Sequence, residues 1–116
     1  MRRAVVGLLF AIQFLFGPAQ AQPSAFERCA ACHSGTEATR DVAPNLAGVF
    51  GRKAGSREDF RYSRALSRSG ITWDESSLDA FLKGPEQFVA GTRMPFEGIA
   101  ADAERAAIVQ YLKTLR

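Results

Sequence analysis

Cysteine is scarce in this 116-residue chain, with only Cys29 and Cys32, three positions apart. A domain stapled by disulfides needs several pairs at wider spacing, so no such framework is available. There is a single histidine, His33, and apart from Met1 a single methionine, Met94. A tetrahedral zinc site built on the two cysteines lacks the further Cys or His that would complete it. Charge of one sign is not in large excess either. Fifteen Lys+Arg against twelve Asp+Glu give +3, which falls to +1 without Arg2 and Arg3, too little for a nucleic-acid footprint. The N-terminal apolar run, Ala4 to Phe16 interrupted only by Gln13, is short of the ~20 residues that span a bilayer. A composition of 47% hydrophobic and 23% charged residues excludes a disordered or collagen-like chain, and the length allows one domain.

What is present begins with an export pattern. Arg2 and Arg3 form a basic start, the apolar run follows, Gly17-Pro18 breaks it, and Ala19-Gln20-Ala21 offers a small-x-small cleavage site. Residues 1–21 are therefore expected to be a secretory signal peptide and residues 22–116 the mature domain in an oxidising compartment. A retained N-terminal anchor is the alternative. A domain of this size buries a modest core and usually needs a supplement. With no disulfide framework, that supplement is expected to be a cofactor.

The remaining pattern is helical. Ser24 with Glu27 has the capping-box form, predicting a helix from about Ala25 to His33. Residues 34–53, rich in Gly, Thr, Asn and Pro, read as loop, and a helical turn is expected near Ser63 to Ser67. Thr72 with Glu75 reads as a second capping box, opening a helix with Leu78, Phe81 and Leu82 on one face and stopped by Gly84-Pro85. A loop is expected over residues 86–101. Asp102 is the expected N-cap of a last helix, in which Ile108, Tyr111, Leu112 and Leu115 mark one buried face. No strand alternation is visible. The expectation is a small all-α domain with few short helices and long loops, and loops of this length need a reason, such as wrapping a large flat cofactor.

Cys29-Ala30-Ala31-Cys32-His33 is the c-type haem attachment signature. One helical turn separates the two thiols, so both can add to the vinyl groups of one haem while His33 brings an imidazole nitrogen to the iron. A thioredoxin-like redox pair would need a βαβ context that is missing. If the iron takes two strong protein ligands, the only other candidate is Met94. A lone methionine is also a common core filler, but Met94 lies in a Gly-Thr-Arg-Met-Pro segment rather than on a helix face.

Ordered blocks extend the signal across the mature chain: residues 29–33, Ala43-Pro44-Asn45-Leu46-Ala47-Gly48-Val49-Phe50-Gly51-Arg52, Phe60-Arg61-Tyr62-Ser63, Gly70-Ile71-Thr72-Trp73 and Gly91-Thr92-Arg93-Met94-Pro95-Phe96. In these the chain resembles a class I cytochrome c of the mitochondrial and bacterial c2 kind. The resemblance implies that fold, wrapped around one haem c covalently bound through Cys29 and Cys32, with His33 and Met94 as axial ligands. It further implies that the Pro44 carbonyl fixes the His33 tautomer, that Arg52, Tyr62 and Trp73 hold a haem propionate, and that Thr92 braces the methionine segment.

The departures are informative. Phe81 stands where the family usually has a tyrosine near the sulfur, and Leu66 where an asparagine often sits beside a buried water; both make the distal side drier. Gln87 and Arg93 replace family lysines that displace methionine at high pH. Few residues precede Cys29 in the mature chain, so the usual crossing of first and last helices is expected to be curtailed. Residues 52–68 carry a net +4 and residues 74–104 a net −5, which predicts a dipolar surface and partner-specific steering instead of a uniformly basic docking ring.

The expected function is that of a soluble periplasmic one-electron carrier and not an enzyme, since no spare histidine or acid–base pair is available for substrate chemistry. Its expected partners are redox proteins: a membrane cytochrome complex, an oxidase or a periplasmic dehydrogenase. The expected state is a monomer, bound to the membrane only if the N-terminal segment is retained. A cytochrome subunit of a periplasmic oxidoreductase is the first alternative, to be told apart by co-purification with a larger subunit. A haem peroxidase or gas-binding protein with an open sixth site is the second.

Overall fold

Among the residues described by the computed structural model, which are Gly7 and 21–116, regular structure is confined to short helices. The expected signal segment lies outside the described residues except for Gly7 and Ala21. A 3-10 turn, Ser24–Phe26, leads into α1 (Glu27–His33); α2 (Arg64–Ser67), α3 (Glu75–Lys83), α4 (Pro85–Phe88) and α5 (Asp102–Thr114) follow. The all-α expectation holds, with one local exception. Residues 51–54 run antiparallel to 71–73: Gly51 N–H donates to Trp73 O (2.6 Å), Trp73 N–H to Arg52 O (2.9 Å) and Ala54 N–H to Ile71 O (2.8 Å), around a bridge between Lys53 and Thr72.

The helix starts differ from the sequence expectation by one or two residues, each for a local reason. Ser24 makes no side-chain cap; Phe26 N–H closes a tight turn on Pro23 O (2.9 Å), and α1 begins at Glu27. Thr72 is held in the bridge to Lys53, so Asp74 caps α3, its carboxylate accepting from Ser77 N–H while Ser77 Oγ accepts from Asp74 N–H, both at 2.8 Å. Ala101, not Asp102, is the N-cap of α5, because the Asp102 carboxylate turns to Arg105. Ser63 caps α2 through Leu66 N–H (3.1 Å), in the expected place. Gly84-Pro85 stops α3 but also starts α4, with proline at the first helical position where its missing N–H has no role; the expected loop from 86 therefore opens with a helical turn.

The core lies where α3 packs on α5 and α4. Leu78, Phe81 and Leu82 of α3 meet Ile108, Val109 and Leu112 of α5, with Ile108 wholly buried. Tyr111 and Leu115 pack at its edge, as the periodicity predicted. Among the described residues the N-terminal end meets α5 chiefly through the turn before α1, with Arg28 of α1 adding an ion pair to Glu104 of α5 (3.3 Å). It does so through the buried Phe26 ring, edge-on to Tyr111 at 4.8 Å.

Arg105 also faces this core, only 3% exposed. It lies three residues before Ile108, on the stripe the sequence marks as apolar, and a lone arginine there would be assigned to solvent. Its Nε donates to Asp79 Oδ1 (2.8 Å), its Nη1 to the carbonyls of Ile99 (2.7 Å) and Ala100 (2.9 Å), and its Nη2 to Asp102. One guanidinium thus ties α5 to α3 and to the segment that follows Met94.

Candidate haem site

α1 places both cysteines one turn apart. Cys29 is buried, Cys32 half-buried, and neither is in a disulfide. Burial pushes the Cys29 thiol above its ordinary value, against the pull of the neighbouring Arg28 cation. His33 ends the helix with Nδ1 2.7 Å from the Pro44 carbonyl. A carbonyl can only accept, so Nδ1 carries the proton and Nε2 keeps its lone pair. Burial lowers the His33 pKa and the Pro44 bond partly offsets this, which favours the neutral, ligand-competent imidazole.

Met94 is half-buried and packs against the same apolar cluster that contains Cys29, Trp73 and Phe81, with Leu66 also at its edge. Its N–H points to Thr92 Oγ1 at a long 3.5 Å. The two residues that depart from the family pattern, Phe81 and Leu66, thus belong to the same apolar cluster as Met94. Two open clefts of about 300 and 290 Å³ flank the region, one lined by Pro44, Asn45 and Phe60, the other by Phe26, Ala30, His33 and Tyr111; Met94 lines neither.

The three residues assigned to a propionate are brought together in part. The antiparallel pairing joins Arg52 and Trp73 through their backbones. Trp73 is buried against Phe81, ring centroids 5.0 Å apart, and Tyr62 stands edge-on to Phe60, also at 5.0 Å. The Arg52 guanidinium donates to Ala47 O (2.8 Å). Burial lowers its pKa and raises that of the Tyr62 phenol, while the attraction between the two groups opposes both shifts. Arg57, which sequence reading passed over as one of a basic run, makes a two-pronged pair with Asp59 (2.8 and 2.7 Å) on the same loop. A family's motif does not reveal such a pair; only the close i, i+2 placement of opposite charges hints at it.

This donor set fits a haem c: two unpaired thiols one turn apart, an imidazole with Nε2 free, and a thioether at the edge of the same cluster. Fold and motif together define a small all-α haem-attachment domain. A family model described as Cytochrome c matches residues 20–116. Cytochrome c2 iso-2 of Magnetospirillum fulvum is 44% identical over 93 residues, covering 80% of this chain and 97% of the relative. Cytochrome c of Tetrahymena pyriformis is 47% identical over 100 residues, covering 85% and 90%. Among solved structures, cytochrome cH from Methylobacterium extorquens superposes with a TM-score of 0.71 at 42% identity, over 78% of this chain and 91% of that one. The chain belongs to the cytochrome c family. It is a monohaem homologue of cytochromes c and c2, an electron carrier and not an enzyme, with haem c bound at Cys29, Cys32 and His33 and redox proteins as its partners.

Proposed function

We propose that the mature domain is residues 22–116, exported by the signal segment 1–21 to the periplasm, where it carries single electrons with His33 and Met94 as axial ligands. The observation that supports His33 as a ligand is its Nδ1–Pro44 carbonyl contact of 2.7 Å, which commits one ring nitrogen and leaves the lone pair of the other free to bind iron. Haem c supplies the ferrous/ferric couple. His33, made more basic by its carbonyl partner, and the Met94 thioether set the balance of that couple, thioether ligation raising the potential. Arg52 would offset the charge of a haem propionate, with Tyr62 and Trp73 as hydrogen-bond donors to it. The dry wall of Phe81 and Leu66 excludes water from the thioether side. The donors and acceptors that fit are a membrane cytochrome complex, an oxidase or a periplasmic dehydrogenase.

The optical spectrum of the holoprotein tests this reading. The ferric form is expected to show the weak near-infrared methionine–iron charge-transfer band, and carbon monoxide is expected to leave the ferrous spectrum unchanged. An absent band with immediate carbon monoxide binding would overturn the carrier assignment in favour of an open-site haem protein.

A second expectation concerns alkaline pH. The methionine segment offers Gln87 and Arg93 in place of ligating lysines, and the Arg93 guanidinium is engaged by the Arg61 carbonyl. Arginine stays protonated throughout the accessible range, so titration of the ferric protein to about pH 10 is expected to give no pair of lysine-ligated low-spin species. Two such species in the proton NMR spectrum would show that another lysine reaches the iron.

A further inference from the structure

The carboxylates of residues 74–104 are engaged in different ways. Glu75 is paired with Lys113, Asp79 and Asp102 with Arg105, and Glu104 with Arg28, while Asp74 caps its own helix, α3. Glu86 does something else. From the first turn of α4 it reaches past the end of that helix, and its Oε1 accepts from the Gly91 backbone N–H at 3.1 Å. No ion pair engages it among the described residues.

Gly91 is the third residue of a tight turn. Thr92 N–H closes that turn on the Val89 carbonyl (3.1 Å), and Gly91 has φ +91°, the left-handed conformation that the third position of a type II turn requires. Its N–H finds its acceptor outside the turn, in the Glu86 carboxylate. On another side the turn is backed by α2, since a Cβ on Gly91 would lie 3.3 Å from Ala65 Cβ. Met94 follows three residues later. The other fastenings upstream of the thioether are weaker or act through a side chain: Met94 N–H reaches Thr92 Oγ1 only at 3.5 Å, and Arg93 is tied by its guanidinium to the Arg61 carbonyl. A carboxylate is a charged acceptor, which makes the stronger kind of hydrogen bond. Glu86 thus fixes the near end of the methionine segment, as Leu82 and Arg105 fix its far end at Ile99.

We propose that Glu86 is a positioning residue for the sixth iron ligand: by holding the Gly91 N–H it locks the near end of the methionine segment and keeps Met94 from leaving the iron. This rests on the reading of Met94 as an axial ligand. The sequence gives no sign of the role, because a glutamate in the first turn of a helix is ordinarily accounted for by the helix dipole.

The test is imidazole binding to the ferric holoprotein. Imidazole enters only when Met94 has left, so its apparent affinity scales with the open fraction. Glu86→Ala removes the acceptor, and Glu86→Gln keeps an acceptor oxygen without the charge. Glu75→Ala breaks a remote ion pair with Lys113 and controls for general loss of stability. Glu86→Ala is expected to bind imidazole roughly fivefold more tightly than the parent, and Glu86→Gln within about twofold of it. Glu75→Ala is expected to bind at the parent affinity. In the parent itself, hydrogen exchange of the ¹⁵N-labelled Gly91 amide is expected to be slowed by the carboxylate. Parent-like affinity in Glu86→Ala, equal tightening by Glu86→Gln or Glu75→Ala, or a Gly91 amide exchanging as fast as a free one would each overturn the proposal. Failure of the Met94 reading shows separately, as an absent near-infrared band in the parent protein.

Discussion

Replacing Arg105 with methionine is expected to lower the thermal midpoint of the holoprotein by on the order of 15 °C. The substitution keeps volume and apolar contact but removes five donors from the core of the molecule. Asp79 and Asp102 are partly or mostly open to water, their side chains 48% and 91% exposed, so they regain solvation readily. The Ile99 carbonyl does not share that freedom, since Ile99 is buried and its N–H is held by Leu82 O (2.8 Å). The main loss is therefore of a charged donor to the buried Ile99 carbonyl, which is the expensive direction of a hydrogen-bond deletion. It follows that Asp79→Asn is expected to have a much smaller effect than Arg105→Met. Differential scanning calorimetry of the two variants decides; equal losses would mean that the ion pair, and not the carbonyls, carries the stabilisation.

Gly98→Ala acts on the same junction from the other side. Gly98 has φ +114°, and a Cβ there would lie 2.2 Å from the carbonyl oxygen of Lys83 and 2.8 Å from its carbon. Both are backbone atoms at the end of α3 and cannot swing away as a side chain could. The segment 94–99 or the end of α3 must shift, at a cost of about 3 kcal/mol or more once backbone strain is added. Gly70→Ala is the control: φ is +69°, yet nothing lies within 4 Å, so only the conformational term of about 1–2 kcal/mol applies. Because Gly98 follows Met94 by four residues, the expected readout is twofold. Chemical denaturation shows the larger loss for Gly98→Ala, and the near-infrared band weakens at a lower temperature than in the parent or the control. Indistinguishable behaviour of the two variants would mean that the close approach to Lys83 relaxes without consequence.

Both predictions converge on the stretch from Met94 to Ala101, which has no regular structure of its own. It is fixed at Ile99 by α3 and at Ile99 and Ala100 by Arg105 of α5. Met94 thus sits on a loop whose far end is clamped, and if its thioether is the iron ligand proposed above, that clamp would limit rearrangement when the iron changes charge.

The attachment motif was legible from Cys29 to His33 because the chemistry demands adjacent residues within one helix turn. The buried stripe of α5 was legible for a similar reason, since helical period alone places Ile108, Tyr111, Leu112 and Leu115 together. Helix starts were less so. Ser24, Thr72 and Asp102 all have capping chemistry, but a cap is a competition for one side chain. Tertiary partners decided it: Thr72 was held by its bridge to Lys53, Asp102 was taken by Arg105, and Ser24 lay in a turn shaped by the packing of Phe26 on Tyr111.

Charge shows the same division most plainly. Sequence alone determined how many charges each stretch carries, because composition is local. Only the tertiary structure decided which of them are cancelled, since Glu75 meets Lys113 and Asp79 meets Arg105 across gaps of 38 and 26 residues. A formal charge becomes a field at the surface only where folding leaves it without a partner. That is why four acids of the acidic stretch, Glu75, Asp79, Asp102 and Glu104, are ion-paired, while Arg61, Arg64 and Arg68 have no such partner among the described residues.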